Sequence, residues 1–322
     1  MTMSIGKLLA APVACLMLAP MAHADPYPSK PIRLIVPFPA GGGTDTVARM
    51  MAERLQQSLK QTVVVENRAG AGGTIGTSYA AQAEPDGYTI VLGISATMVM
   101  APFLYPNAAY TANQRFAALG QIGTASNMLV VNPAFPAHNL KELVAAAKAR
   151  PGQINYGSWG LGSGGHLCAD ILMRAKGITM THVPYKGTAP ELADVLGGTI
   201  MVAMVDSTTS APYVQAGKLR ALAACTERSS NLPDVPGLKD EGVSFDSSFW
   251  YGLFAPAGTP APVLSRLREE VGQILKQPAV AARLKDLGIQ ATNLSPAQFE
   301  EVVRRDYAGW GKLIREAGIK AE

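Results

Sequence analysis

Charged residues are scarce in this chain. Asp, Glu, Lys and Arg make up 16% of its 322 residues, where an average soluble domain carries roughly 25%. No run of Lys or Arg reaches five residues and the formal net charge is only +4, which argues against nucleic acid as the partner. Low charge does not make the chain disordered, because 48% of it is hydrophobic and disorder needs low hydrophobicity with high charge. Cysteine and histidine are few, three and four respectively. No C-x-x-C or H-x-x-x-H spacing occurs, so no metal site is expected. There is no Walker A sequence and no G-x-S-x-G elbow; Gly76-Thr77-Ser78-Tyr79-Ala80 is the nearest approach and falls in a predicted helix. No two carboxylates are spaced as an acid and a base. The pattern is that of a protein without catalysis and without a cofactor.

Long apolar runs are also rare. One stands out, from Leu8 to Met21, broken by Pro12 and Pro20, preceded by Lys7 and followed by Ala22-His23-Ala24. A charged start, a short apolar run and small residues at an A-x-A site make a secretory signal peptide. The run is too short to span a bilayer comfortably. Cleavage is expected after Ala24, giving an exported, periplasmic protein. Cys15 leaves with this segment. Export permits a disulfide between Cys168 and Cys225. Their positions, one in a predicted helix and one at a strand end, give no sign that they meet. Two buried free thiols are the expectation.

What is abundant is glycine, 32 residues, and proline, 23, set between apolar runs that alternate with amphipathic stretches. Residues 32–37, 62–66 and 88–92 read as strands, with helices between them. The helix after the first strand places Val47, Met50, Met51, Leu55 and Leu59 on one face, with Thr44 or Asp45 as its cap. The pattern repeats with strands at 128–131, 154–156, 181–184, 200–205 and 219–224 and a last one at 250–255. Ser295-Pro296-Ala297-Gln298 starts the final helix as a capping box with proline in the first turn. Such alternation predicts an α/β protein of two lobes, each a mostly parallel sheet flanked by helices. The expected division is 25–130 with 250–322 as the first lobe and 131–249 as the second, with a ligand cleft between them.

Three glycine-rich turns follow strands and open helices, at 40–45, 70–76 and 157–166. Unpaired N–H groups at such a helix start suit an anion, although any one of the three could be a tight turn and nothing more. None contains Lys or Arg, so the grip would come from N–H groups and from hydroxyls of Thr44, Ser158 and Ser163. Residues 160–165 fit G-x-G-x-x-G, but the following strand ends in Pro184-Tyr185-Lys186 rather than in an acid, which argues against NAD. Asp45 and His166 are more simply structural, at a helix start and in a first turn. Asp206 ends a strand, where a pocket residue and a turn former are equally reasonable. Trp159 lies inside the third glycine turn, either packed in a core or stacked on a ligand. Trp250 and Trp310 read as core.

These segments together resemble one family. Val36-Pro37-Phe38-Pro39-Ala40-Gly41-Gly42-Gly43-Thr44-Asp45, Val65-Glu66-Asn67-Arg68-Ala69-Gly70-Ala71-Gly72-Gly73, Pro85-Asp86-Gly87-Tyr88-Thr89, His182-Val183-Pro184-Tyr185-Lys186-Gly187 and Tyr251-Gly252-Leu253-Phe254-Ala255-Pro256 occur in order across nearly the whole exported chain. The sequence resembles the Bug family of extracytoplasmic solute receptors, the binding component of tripartite tricarboxylate transporters. The resemblance implies a two-lobed periplasmic binding protein fold, type II-like and monomeric, that closes on a small organic carboxylate and passes it to membrane permease subunits. It assigns ligand contacts to Phe38, Ala40, Gly41, Gly42, Gly43, Thr44 and Asp45, assisted by Gly72 and Gly73. From the second lobe it assigns Ser158, Trp159, Gly162, Ser163, His166 and Asp206. Phe38 and Trp159 beside the cleft favour an aromatic mono- or dicarboxylate, such as a phthalate-like acid. The alternatives are a secreted enzyme acting on a carboxylate or ester, and a receptor that presents its ligand to a signalling protein.

Overall fold

A computed structural model describes residues 27–319, apart from 106, 107, 109, 227, 229–231 and 244–247. The expected signal peptide and its cleavage site lie outside the described residues. The chain opens with β1 (Ile32–Val36), α1 (Gly43–Leu59), β2 (Val63–Asn67), α2 (Thr74–Ala81) and β3 (Thr89–Ile94). A π-helical turn at Ala96–Met100 and two short helices, α3 (Ala101–Leu104) and α4 (Ala112–Arg115), lead into β4 (Phe116–Ala125). The middle runs β5 (Asn127–Val131), α5 (Leu140–Ala149), β6 (Asn155–Ser158), α6 (Gly164–Lys176), β7 (Thr181–Pro184), α7 (Thr188–Gly197), β8 (Val202–Asp206), α8 (Ser207–Gln215) and β9 (Arg220–Ala224). The end comprises β10 (Phe249–Pro256), α9 (Ala261–Leu275), α10 (Pro278–Asp286), β11 (Gln290–Ala291) and α11 (Pro296–Ala317).

Two sheets form, ordered β11-β4-β10-β3-β1-β2 and β7-β6-β8-β5-β9. In each, parallel pairs (β1 with β2 and β3; β6 with β7 and β8) are joined to antiparallel ones made by a strand running against its neighbours, β10 in the first and β5 in the second. The result is an α/β fold of two lobes, each built on a mixed sheet with helices on its faces. The chain passes from the first sheet to the second at Ser126, a few residues ahead of position 130, because the apolar run Met128–Val131 that suggests a strand belongs to the second sheet. It returns to the first sheet with β10.

The first lobe's core follows from amphipathic helices on a sheet buried on both faces. Val47, Met51, Leu55 and Leu59 of α1 pack with Ile32, Leu34, Ile90 and Leu253 from the strands, and α1 ends where Lys60 turns left-handed, φ 52°. The helix α11 carries the expected capping box, Ser295 with Gln298. Its Asp306 is fully buried and accepts hydrogen bonds from Trp250 Nε1 (3.0 Å) and Ser248 Oγ (2.8 Å). The last helix thereby fixes the start of β10, where the chain re-enters the first lobe. Trp250 and Trp310 are both core residues.

One expectation is corrected here. Cys168 and Cys225 are not free thiols: they form a disulfide, with Cα atoms 6.0 Å apart. The helix α6 lies over the second sheet so that Cys168 meets the residue just after β9, a proximity set by tertiary packing rather than by local sequence. Two elements also escape the sequence pattern. In β4 the stretch Phe-Ala-Ala-Leu-Gly-Gln-Ile-Gly lacks β-branched density, and Gly120 and Gly123 leave room for Val271 and Ile289 to pack on the strand. In α8 an internal Pro212 argues against the helix that nevertheless forms.

Candidate functional site

The two lobes face each other across a cleft whose empty space, open solvent included, is about 620 Å³. Its first-lobe wall comes from the turn after β1: Phe38, Pro39, Gly42, Gly43 and Thr44. This turn ends in an unusual helix start. The N-cap of α1 is Gly42, and no side chain caps it. The first backbone bond of the helix is Thr46 N–H to Gly42 O, 3.0 Å, so the N–H groups of Gly43, Thr44 and Asp45 have no acceptor within the helix. Neither Thr44 nor Asp45 is the cap, contrary to expectation. The Asp45 carboxylate turns back instead and accepts from Gly41 N (3.0 Å), Arg49 Nε (2.9 Å) and Asn67 Nδ2 (2.9 Å). Burial by itself would raise the Asp45 carboxyl, but these donors and the Arg49 charge hold it below the usual range. Asp45 therefore braces the turn from behind. Gly41, at φ 87°, and Ala40 form its exposed outer edge, away from the cavity lining.

Gly72 and Gly73 sit one layer further out. A Cβ on Gly72 would meet the Tyr105 ring and one on Gly73 would meet Thr97 and Phe38, so these glycines let the wall behind Phe38 pack closely.

The second-lobe turn behaves differently. Trp159 lines the cavity and packs against Gly165. Ser158, Ser163 and His166 face one another instead. Ser158 Oγ lies 2.7 Å from His182 Nε2 and is approached by Ser163 Oγ at 3.3 Å. The His166 and His182 rings stack, centroids 4.2 Å apart and planes within 6°. His166 Nδ1 accepts from Gly162 N–H (3.0 Å), and Ser163 caps α6 by accepting from His166 N–H (3.2 Å). Burial lowers His166, with Asp170 opposing, while burial and the neighbouring His166 push His182 down to about 3. Gly162 stands against Leu104 of the first lobe. This loop is a neutral, internally satisfied scaffold that presents one indole.

The second-lobe helix that does start uncapped at the cavity is α7. Its N-cap is Gly187, without a side-chain cap, and Thr188 and Ala189 line the cleft. Sequence reasoning passed over this helix start; the signal lay in Gly187-Thr188-Ala189-Pro190, a helix opening with no Ser, Thr, Asp or Asn at the cap position. Asp206 lines the cavity and is the N-cap of α8, accepting from Thr209 N (3.0 Å). The crossing strands add Ser126 and Asn127, and β10 adds Phe249, Trp250 and Tyr251. None of these crossing residues stands out in sequence, because a strand that changes lobes looks like any other strand. Ile94, Ser95, Ala96 and Ala125 complete the lining, and among the described residues no Lys, Arg or His contributes to it.

A two-lobed α/β protein with a cleft between its lobes, walled by uncapped helix starts and aromatic residues, has the build of a solute-binding protein. The chain belongs to the tripartite tricarboxylate transporter family receptor (TctC) family, whose model matches residues 47–319, and it is a Bug-type receptor rather than an enzyme. BugT of Bordetella pertussis (strain Tohama I) is 35% identical over 311 residues, covering 96% of this chain and 95% of that one. The structure of periplasmic binding protein BugD superposes with a TM-score of 0.86 at 35% identity, covering 92% of this chain and all of that one. An R. palustris protein solved with adipate gives a TM-score of 0.87 at 31% identity, covering 92% of this chain and 100% of that chain. MatC from Rhodopseudomonas palustris, solved with malate, gives 0.84 at 30% identity, covering 89% and 100%. No helix among the described residues is long and apolar enough to cross a membrane.

Proposed function

We propose that this chain is exported by cleavage after Ala24, works in the periplasm as a monomer, and captures a small organic carboxylate for delivery to the membrane subunits of a tripartite tricarboxylate transporter. Its lobes would divide at the sheet crossings, at Ser126 and at the start of β10. The observation that carries the carboxylate reading is the pair of uncapped helix starts, α1 and α7, that meet at the cleft from opposite lobes. N–H groups there favour an anion without a cationic side chain. Relatives solved with adipate and malate support the same chemistry.

The aromatic lining narrows the class. Phe38, Trp159, Phe249 and Tyr251 contribute to one cavity, and stacked aromatic pairs gain about 0.5–1.5 kcal/mol beyond burial. A compact tricarboxylate would find too few N–H groups to offset its charge. A benzoate- or phthalate-like acid needs one such grip and ring faces. Competition among benzoate, terephthalate, succinate and citrate, followed by tryptophan fluorescence on the exported form, tests this. An aromatic acid should bind tightest; tighter binding of succinate or citrate than of every aromatic acid would reject the aromatic class. A mass spectrum of periplasmic protein should begin at Asp25, and an intact Met1 would reject export by cleavage.

A further inference from the structure

One cavity residue has chemistry that an anion site does not call for. Asp206 contributes a carboxylate to the lining, only 8% exposed, and among the described residues no ion pair neutralises it. Its two oxygens are unequally used. Oδ1 accepts from the Thr208 hydroxyl, from Thr209 N (3.0 Å) and from Thr209 Oγ1 (2.8 Å), whereas Oδ2 has only a share of the Thr209 hydroxyl (2.8 Å). A carboxylate offers about four acceptor sites, so Oδ2 keeps capacity for a further donor.

The surroundings supply no cation. Glu191 is fully buried with both carboxyl oxygens unpartnered among the described residues. Burial first, and then the charge of Asp206, push its carboxyl well above the usual range. Across the cleft Asp206 faces the start of α1, where a Cβ on Gly43 would come within 2.5 Å of Oδ1. A ligand carboxylate held by α1 would therefore lie close to a second carboxylate. Like charges at such range in a partly dry site repel strongly, unless a hydrogen-bond donor on the ligand stands between them.

Resting on the receptor reading above, we propose that the cleft selects a carboxylate that also carries a hydrogen-bond donor near its acid group, a hydroxyl or an amine, and that Asp206 accepts from it. On a given carbon skeleton, aromatic or aliphatic, the donor-free acid binds less tightly than its donor-bearing counterpart. A site built to accept a donor rejects the analogue lacking it more strongly than an apolar pocket rejects one methylene.

Matched pairs test this directly by calorimetry on the exported form: mandelate against phenylacetate, and malate against succinate. The hydroxyl-bearing member should bind about tenfold or more tightly in each pair, the size expected for a hydrogen bond to a charged group. Asp206→Asn keeps an amide oxygen that still caps α8 and removes the charge, so the preference should shrink to about threefold or less, with phenylacetate and succinate gaining. Circular dichroism checks that the variant is folded; if it is not, the wild-type pairs decide alone. Equal or tighter binding of the donor-free acid in both pairs overturns the inference while leaving a carboxylate receptor intact. Binding of none of the four acids, and none of the benzoate and citrate series, overturns the receptor reading and this inference with it.

Discussion

The turns that open α1 and α6 are nearly interchangeable on paper. Each is glycine-rich, follows a strand, opens a helix and lacks Lys and Arg. In the fold they differ in one atom's worth of chemistry. The helix α6 has Ser163 at its cap, and the Ser163 hydroxyl accepts the His166 N–H, so the helix start is satisfied from within. The helix α1 has Gly42 there, with no side chain to offer, so its N–H groups remain for whatever enters the cleft. Glycine permits a close turn in both places, but only the missing cap makes a binding surface. The same rule picks out α7, capped by Gly187, as the second lobe's counterpart to α1.

The two turns are also secured differently, and breaking each anchor has a different expected cost. The helix α6 is stapled to the segment after β9 by Cys168–Cys225, which closes a loop of 57 residues. Replacing both cysteines by alanine should cost about 2–4 kcal/mol of stability, read as a lower midpoint in denaturant. A variant as stable as the wild type would show that the bridge adds nothing to this lobe. The α1 turn has no staple and depends on fit across the cleft. A Cβ at Gly43 would overlap Thr208 Oγ1 and crowd Asp206. Gly43→Ala should hold the lobes apart and weaken binding by about 1–3 kcal/mol, the usual cost of overpacking, or roughly 5- to 150-fold in Kd. Each lobe should keep its fold. Unchanged affinity would mean that the lobes do not need this contact to close.

How much of this was legible in the sequence depends on how local the determinant is. Local signals read well. The α1 stripe, the Ser295–Gln298 capping box and the strand–helix alternation each depend on residues within a few positions of one another. Of the first turn, Phe38, Gly42, Gly43 and Thr44 line the cavity, because a turn between a strand and a helix at the sheet's edge projects into the cleft. Determinants that join distant segments did not read. The disulfide, the lining by Ser126, Asn127, Phe249 and Trp250, and the inward turn of Ser158, Ser163 and His166 all depend on which strand lies next to which. Ser158 and His182 are 24 residues apart, and only the parallel pairing of β6 with β7 brings them together.

The histidine pair behind the second turn gives a contrast in pH. His182 is pushed from 6.5 down to about 3, mainly by burial and also by His166, so the folded state favours the neutral ring. The unfolded chain binds the proton more readily between those values, and its contribution to stability is full above about pH 6.5 and lost as the pH falls toward 3. Midpoints measured from pH 7 to pH 4 should fall for the wild type. His182→Asn, which cannot take up that proton, should flatten part of the slope. An unchanged slope in the variant would show that other groups carry the acid sensitivity. At the α1 turn the loss comes at lower pH: Asp45 is held below the usual range by Arg49 and its other donors, so its contribution is present above the ordinary carboxylate value of 3.8 and lost only as the pH falls below it.

The smallest expected effects are the most discriminating, because they exchange the one feature that separates the two turns. Ser163→Ala removes the cap of α6. It should cost about 1 kcal/mol of stability, and affinity should stay within about twofold, since the loop presents Trp159 rather than its hydroxyl to the cleft. Gly42→Ser does the reverse. Gly42 has φ −82° and ψ 171°, the extended geometry that a serine cap adopts, and a Cβ there meets only Pro39 O at 3.9 Å. The new hydroxyl would accept an N–H at the start of α1, leaving stability unchanged or raised by a few tenths of a kcal/mol. That bond uses a donor the ligand carboxylate needs, and it places a polar side chain in the anion's space. Affinity should fall although the protein is no less stable. Stability and affinity would then move in opposite senses at the two turns. If Gly42→Ser bound as tightly as the wild type, or Ser163→Ala lost binding with its cap, the uncapped start of α1 would not be the anion grip.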